Sequence, residues 1–181
     1  PGWDRLSRTD GALGALPDKV AAMDRRGPDG EGVWCRDDVV ALGHRGLSIL
    51  DPTPGSKQPF ALGRDVLVFN GEVYNYVGLR RDLEASGAHR FQTDSDTEVV
   101  LAALRHWGLE QALGRMNGMF AFAWWNPDTE RLVVARDRLG IKPLYWHQTP
   151  HGTVLFASEI RALLASGVLP RKLNQAPVTE Q

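Results

Sequence analysis

Cysteine is nearly absent from this sequence, which has only Cys35 among its 181 residues. A single cysteine cannot form a disulfide within the chain, and this fits a reducing compartment such as the cytoplasm. No apolar run approaches the roughly 20 residues that a membrane-spanning helix needs, and the first residues lack the apolar core of a signal peptide. These absences predict a cytoplasmic protein that does not enter a membrane.

An excess of either positive or negative charge is also lacking, since the formal net charge is -1. Without a basic excess, the chain has no general attraction for nucleic acid or an anionic membrane. Glycine-rich loops of the types that hold nucleotide phosphates are missing as well. The histidines lack the spacing of metal ligands, so we predict no metal site; they are His44, His89, His106, His147 and His151.

What the sequence does contain is apolar periodicity that changes along the chain. Helical spacing predicts helices at residues 13–23, 77–85, 96–107, 109–113 and 159–165, with Gly108 as a stop. Ser95 and Glu98 have the spacing of a capping box at the start of one of them. Short apolar runs predict strands at residues 33–35, 39–42, 66–69, 119–125, 132–136, 144–146 and 154–157.

The order of these elements indicates the fold class. Runs of strands joined by tight turns, with helices between the runs, favour antiparallel pairing and an α+β fold. A regular doubly wound nucleotide-binding fold is disfavoured. The tryptophans, including Trp107, Trp124, Trp125 and Trp146, are interpreted as core residues because no basic surface accompanies them.

Several polar blocks in a fixed order make the chain resemble the N-terminal glutamine-hydrolysing domain of glutamine-dependent asparagine synthetases, a class II amidotransferase domain. The blocks span nearly the whole chain, and their order is more specific than any one of them. They are Arg26-Gly27-Pro28-Asp29, His44-Arg45-Gly46-Leu47-Ser48-Ile49, Asn70-Gly71-Glu72-Val73-Tyr74-Asn75, Ser95-Asp96-Thr97-Glu98, Asn117-Gly118-Met119-Phe120-Ala121-Phe122, the segment from Arg136 to Tyr145, and Ala157-Ser158-Glu159-Ile160.

The resemblance implies a four-layer αββα sandwich, with two antiparallel sheets between helical layers. It also implies a chemistry in which an N-terminal cysteine attacks the side-chain amide of glutamine and releases ammonia. The α-amine of the same cysteine acts as the base, since an α-amine titrates near ~8 and lies within reach of its own thiol. The ammonia then reaches a second, ATP-using domain.

Site residues follow by matching positions. Asn70 and the backbone N–H of Gly71 would form the oxyanion hole, and glycine there would let the backbone approach the substrate. Glu72 and Asp96 would pair with the α-ammonium of glutamine. The residues implied to contact glutamine are Ile49, Leu50, Asn70, Gly71, Glu72 and Asp96.

Two of these segments also have plainer interpretations. Asn70-Gly71 alone is typical of a hairpin turn, and Ser95-Asp96 alone is typical of a helix start. The segment Arg136-Asp137-Arg138 is interpreted as a buried or interface ion network without a catalytic part. Cys35 is interpreted as a small buried hydrophobe and not as a substitute nucleophile, because it has no α-amine.

The sequence departs from the family pattern at two places. Pro1 stands where the pattern has cysteine, and Gly46 stands where the pattern has an arginine that grips the glutamine carboxylate with a bidentate fork. Truncation of the opening residues would explain the first departure. Decay of the glutaminase activity, as in the similar β-lactam synthetases, would explain both. As written, the chain is predicted not to hydrolyse glutamine.

The resemblance also gives expectations for domains and partners. Residues 1–170 are expected to be the amidotransferase domain, truncated at its N-terminus, and residues 171–181 the start of a linker. L-glutamine and a C-terminal ATP-dependent synthetase domain are the expected partners, and the resemblance is compatible with a homodimer. No cofactor is expected in this domain, since ATP and Mg belong to the synthetase domain, whose Ser-Gly-Gly-x-Asp-Ser loop is not in the sequence.

Overall fold

The computed structural model of the protein describes residues 30–37, 39–46 and 57–169. The helix predicted at residues 13–23 lies outside these ranges. Among the described helices, none is long and apolar enough to cross a membrane. The elements in chain order are β1 (Gly30–Arg36), β2 (Val40–Gly46), β3 (Phe60–Leu62), β4 (Asp65–Val73), α1 (Tyr76–Ala85), α2 (Asp96–Arg115), β5 (Gly118–Asn126), β6 (Arg131–Arg136), β7 (Tyr145–Gln148), β8 (Val154–Ala157) and α3 (Ile160–Leu164).

Every strand pair in this part of the chain is antiparallel. Strands β3, β4, β5 and β6 form a four-stranded sheet in that order, while β1–β2 and β7–β8 are two-stranded. Tight turns join β1 to β2 and β5 to β6, as predicted; in the second turn Asn126 Oδ1 accepts from the N–H groups of Asp128 and Thr129. The predicted α+β fold is confirmed.

The four-stranded sheet separates two apolar cores. On one face, Leu67 and Phe69 of β4 pack with buried residues of α1 and α2, among them Leu101. On the other face, Val66 and Val68 of β4 pack with residues of β2 and partly buried residues of the neighbouring hairpins. This alternation follows from the period of two along a strand. A helical layer, the central sheet and a layer of hairpins are therefore stacked in this order, and the complete four-layer arrangement stays a prediction.

Helix α2 shows why the sequence predicted two helices in this region. Gly108 has φ 76° and ψ 170°, which is not helical and divides α2 where the stop was predicted. Trp124 and Trp125 are buried, as predicted, but the core interpretation of Trp146 is wrong. Trp146 is 65% exposed because it lies on β7, all four residues of which are exposed.

Candidate functional site

The Asn70-Gly71-Glu72 segment lies inside strand β4 and not in a turn. Asn70 is paired with Ala121, and Gly71 with Phe120, in the antiparallel ladder with β5. The hairpin-turn interpretation of Asn70-Gly71 is therefore wrong. The apolar run that predicted this strand ended at Phe69, but the strand continues through the polar residues to Val73.

The register of the ladder fixes the direction of each backbone amide on β4. Tyr74 N–H donates to Asn117 O over 2.8 Å at the β5 side. In an antiparallel ladder, hydrogen-bonded and non-hydrogen-bonded pairs alternate, so the even-numbered residues of β4 bond to β5. The odd-numbered Phe69, Gly71 and Val73 therefore direct their N–H and C=O groups to the opposite edge of β4.

Two side chains occupy this edge on either side of Gly71. The carboxamide of Gln58 accepts from Phe69 N–H over 2.5 Å and donates to Phe69 O over 3.0 Å. Asp96 Oδ2 accepts from Val73 N–H over 3.0 Å. Among the described residues, none is assigned as an acceptor for Gly71 N–H, which lies between these two bonded amides.

Gly71 is required by its neighbour strand. A Cβ at Gly71 would lie 2.2 Å from Met119 O, and a Cβ at Gly118 would lie 2.2 Å from Glu72 O. Distances below 3.0 Å do not occur for real Cβ atoms, so β4 and β5 approach closely because both residues are glycine. The expected reason for glycine, approach to a substrate, is thus supplemented by a packing reason that the sequence did not reveal.

Asn70 projects to the face of the sheet that carries Val66 and Val68, because side chains alternate along the strand. Its Nδ2 donates to Ser158 Oγ over 3.4 Å, and Ser158 directly follows β8. This contact orients an amide donor next to the Gly71 N–H. Ser158 stood in one of the polar blocks, but its type and position gave no sign of this contact, which spans 88 residues of sequence.

Asp96 lies at the first position of α2 and is 4% exposed. Burial raises the pKa of this carboxyl above its usual value, the bond from Val73 N–H lowers it, and the negative charge of Glu72 raises it. The structure therefore brings the predicted Glu72 and Asp96 close enough to repel each other. Two neighbouring carboxylates of this kind favour a cation between them.

The start of α2 holds Asp96 in this position. Ser95 is the N-cap, and its side chain accepts from Thr97 N–H. The predicted reciprocal contact of the capping box is replaced: Thr93 Oγ1 accepts from Ser95 N–H, and Glu98 binds the preceding loop. The carboxylate of Glu98 contacts His89 and accepts from Gln92 N–H, Thr93 N–H and the Thr93 hydroxyl.

The segment from Arg136 to Lys142 bonds to backbone groups, so its interpretation as an ion network is corrected. The Asp137 carboxylate accepts from four backbone N–H groups, two of them across 2.9 Å. Burial raises the pKa of Asp137, but these bonds outweigh it and hold the pKa below its usual value. Arg136 donates to the carbonyls of Gly140 and Lys142. Arg138 donates to Leu113 O in the last turn of α2 and to Met116 O, which directly follows the helix. A guanidinium satisfies these carbonyls well because it presents several fixed donors.

The remaining predicted residues have different outcomes. Cys35 is exposed on β1, so its interpretation as a buried hydrophobe is wrong; side chains of this hairpin alternate between the core and solvent, and Cys35 faces solvent. Ile49 and Leu50 lie outside the described residues. Gly46 ends β2 and is paired with Gly30.

The chain is similar to several known proteins. Residues 6–181 match the family described as glutamine amidotransferase domain. Asparagine synthetase [glutamine-hydrolyzing] 1 of Bacillus subtilis is 47% identical over 143 residues, which are 78% of this chain and 22% of that protein. Asparagine synthetase B [glutamine-hydrolyzing] of Escherichia coli is 40% identical over 143 residues, 78% of this chain and 25% of that protein. The chain thus spans about a quarter of the length of these relatives.

The fold has a solved counterpart as well. The structure of glutamine phosphoribosylpyrophosphate amidotransferase from B. subtilis superposes with a TM-score of 0.69 at 22% identity. The superposition covers 86% of this chain and 41% of that one. The chain therefore belongs to the family of glutamine amidotransferase domains and is a homologue of the domain of that type in glutamine-hydrolysing asparagine synthetases.

Proposed function

We propose that this domain binds L-glutamine at the open edge of β4 and serves to supply ammonia to an ATP-dependent synthetase domain. The observation that carries the proposal is the juxtaposition of two donors with two carboxylates. Asn70 Nδ2 and Gly71 N–H stand on adjacent residues of β4, and the Glu72 and Asp96 carboxylates lie beside them. Glutamine has the matching groups, an amide carbonyl and an α-ammonium.

The two donors would act on the amide carbonyl. When a nucleophile attacks this carbon, the negative charge that develops on the oxygen is stabilised by donors already directed at it. Removing one donor of this kind lowers kcat by on the order of 10²–10³. Ser158, which holds the Asn70 amide, would keep one of the donors in place.

The two carboxylates would bind the α-ammonium. Without a cation, Asp96 and Glu72 repel each other, and this repulsion helps to raise the pKa of Asp96. A bound ammonium would relieve the repulsion and would form charge-assisted hydrogen bonds, which are about twice as strong as neutral ones.

The nucleophile is the group that the 181 residues do not supply. The sulfur of a cysteine must attack the amide carbon as an α-amine takes the thiol proton and passes it to the amide nitrogen, which leaves as ammonia; water then hydrolyses the thioester to glutamate and restores the thiol. Cys35 lies within β1 and has no free α-amine. A polypeptide of these residues alone is therefore expected to bind glutamine without hydrolysing it, since removing a nucleophile can cost about 10⁶ in turnover.

Ammonia release is the assay for this proposal. In a variant with Met-Cys-Gly in front of Pro1, whose methionine is removed in the cell, glutamine should be hydrolysed at an enzymatic rate. In that variant Asp96→Asn should abolish activity at low glutamine concentration, while the control Asp82→Asn, an exposed aspartate of α1, should leave it unchanged. Inactivity of a folded cysteine-bearing variant would contradict the proposal and would favour the alternative below.

The alternative is a decayed module that scaffolds a different amide-forming synthetase, like the domain of the β-lactam synthetases. Gly46 favours it, because glycine cannot grip the glutamine carboxylate. Calorimetry on the 181-residue chain should then give binding weaker than micromolar. Gly46→Arg should tighten binding by about tenfold or more, since a bidentate pair adds charge-assisted bonds, and Gly46→Lys, with the same charge but no fork, should gain less. Micromolar binding by the unchanged chain would contradict this view of Gly46.

A further inference from the structure

The edge of β4 changes partners along its length. Strand β3 pairs only with the beginning of β4, and the last of these pairs joins Phe60 to Leu67. Beyond that point, the Gln58 carboxamide bonds both polar groups of Phe69, and Asp96 bonds the N–H of Val73. Beyond the end of β3, side chains therefore make the hydrogen bonds that a neighbouring strand would make to the edge of β4. Gly71 lies between the two residues that they bond.

We propose that Gln58 is a positioning residue for the Gly71 N–H donor. The inference rests on the proposed function, in which that N–H binds the amide oxygen of glutamine. Gln58 does not touch the proposed substrate position; it acts by fixing the backbone of Phe69, two residues before Gly71. Asp96 fixes the backbone two residues after it.

The chemistry of a carboxamide suits this task. A primary amide has one acceptor and one donor group side by side, so it reproduces both ladder bonds that a strand residue would make. An unpaired stretch of edge backbone would otherwise be free to twist away or to open locally. With a strand rise of about 3.3 Å per residue, the bonded amides of Phe69 and Val73 each lie roughly 7 Å from Gly71. A shift of the backbone at Phe69 therefore moves the Gly71 N–H as well.

The β1–β2 hairpin contacts both Gln58 and the Phe69 backbone that Gln58 bonds. A Cβ at Gly32 of β1 would lie 2.2 Å from Gln58 O, so β1 passes directly against the Gln58 backbone. His44 of β2 makes a hydrogen bond with the Phe69 backbone, and burial lowers the pKa of His44 to about 4. At pH 7 the imidazole is neutral, and it adds a second side-chain contact to the Phe69 backbone that Gln58 bonds. These two contacts hold the β1–β2 hairpin against the edge of β4 next to the proposed oxyanion donors.

Backbone NMR on the 181-residue chain tests, without any substrate, whether Gln58 fixes the backbone of Phe69 and Gly71. In Gln58→Leu, hydrogen exchange at Phe69 N–H should accelerate about tenfold, as expected for loss of one hydrogen bond, and the ¹⁵N order parameter of Gly71 should fall from about 0.85 toward 0.6. Glu72 N–H, which faces β5, should stay protected. The exposed Gln111→Leu of α2 is the matched control.

Gln58→Glu separates positioning from a general loss of structure. At pH 7 its carboxylate still accepts from Phe69 N–H but cannot donate to Phe69 O. Exchange at Phe69 N–H should therefore stay within about threefold of the parent, and the Gly71 order parameter should lie between the parent and Gln58→Leu. Equal effects of both substitutions, or faster exchange at Glu72 N–H together with Phe69, would show a merely structural role and overturn the proposal.

The cysteine-bearing variant supplies the functional readout. Gln58→Leu should lower kcat for ammonia release by about tenfold or more, short of the 10²–10³ expected for losing the donor itself, and should change KM less. Unchanged kcat in a folded Gln58→Leu protein would overturn the inference. If the cysteine-bearing parent releases no ammonia, the proposed function fails instead, and the NMR comparison alone decides whether Gln58 fixes the Gly71 backbone.

Discussion

Replacing the buried Glu98 by glutamine tests how the start of α2 is held in place. One carboxylate oxygen lies 2.8 Å from His89 Nε2 and 3.0 Å from Gln92 N. The other lies 2.8 Å from Thr93 N, 2.7 Å from Thr93 Oγ1 and 3.2 Å from Gln92 N. In Glu98→Gln, one oxygen becomes an NH₂ group. If the amide keeps its oxygen beside Thr93, Gln92 N–H retains only the longer 3.2 Å bond; if it keeps its oxygen beside His89, Thr93 N–H loses its acceptor.

The cost follows from what each donor can do. The Thr93 hydroxyl can rotate and the His89 ring can change tautomer to accept from the new NH₂ group, but a backbone N–H can only donate. In the less costly orientation, the bonds from Gln92 N–H and Thr93 N–H both go to a neutral amide oxygen, and the Gln92 bond is longer. Together this costs about 2 kcal/mol, since a bond to a charged group is stronger than a neutral one by about 1 kcal/mol. With a urea m-value of about 2 kcal/mol/M, the unfolding midpoint should fall by about 1 M.

The pH dependence of the stability difference between the wild-type protein and Glu98→Gln is a second test. Burial raises the pKa of Glu98, but the bonds from His89, Thr93 and Gln92 outweigh it and hold the pKa below its usual value of 4.5. A carboxylate with a lowered folded-state pKa contributes stability that is complete above its usual pKa and is lost as the pH falls through the folded-state value. The gap between the wild-type protein and Glu98→Gln should be full at pH 7 and should close below pH 4.5.

Urea unfolding followed by tryptophan fluorescence at both pH values is the assay, with the exposed Glu110→Gln as a control that should shift the free energy by no more than about 0.5 kcal/mol. Equal midpoints for the wild-type protein and Glu98→Gln at pH 7 would refute the reasoning. A gap that widens on acidification would refute it as well.

Three further substitutions have defined outcomes. Gly71→Ala should cost about 1–3 kcal/mol in urea unfolding, because its Cβ would meet Met119 O, whereas Gly78→Ala, with open space around it, should be neutral or stabilising. Arg138→Met should lower the thermal midpoint by about 3 °C, because the Leu113 and Met116 carbonyls at the end of α2 lose their donor; an unchanged midpoint would contradict this. Asp96→Asn should raise the urea midpoint at pH 7 but not near pH 4, since the raised pKa marks a carboxylate whose charge destabilises the fold as the pH rises, and calorimetry should show weaker glutamine binding; a lower midpoint at pH 7 would argue against it.

The sequence predicted the elements whose signals are local. Gly108 divided a helix because its effect depends on its own backbone, and Ser95 capped α2 because capping involves neighbours. Strand β4 was predicted to end at Phe69 because Asn70-Gly71-Glu72 resembles a turn when its partner strand is unknown. Strand β3, three residues long, was not predicted because it is too short to show a period.

For the candidate site, the sequence predicted which residues take part but not the contacts that hold them in place. Family resemblance placed Asn70, Gly71 and Asp96, and the structure shows Asp96 bonded to the strand that carries the other two. Gln58 and Ser158 were not predicted as contacts of this strand, because they meet it only through tertiary structure. No periodicity or capping pattern encodes contacts of that kind.

The mutual approach of Gly71 and Gly118 has a consequence for genetic rescue. Each missing Cβ leaves room for a carbonyl oxygen of the facing strand, and every residue type has that oxygen. A substitution at either position therefore cannot be relieved by trimming a side chain elsewhere. Suppressors of a Gly71 or Gly118 mutant should be rare in a random screen, and those that arise should alter the length or the register of the β4–β5 ribbon.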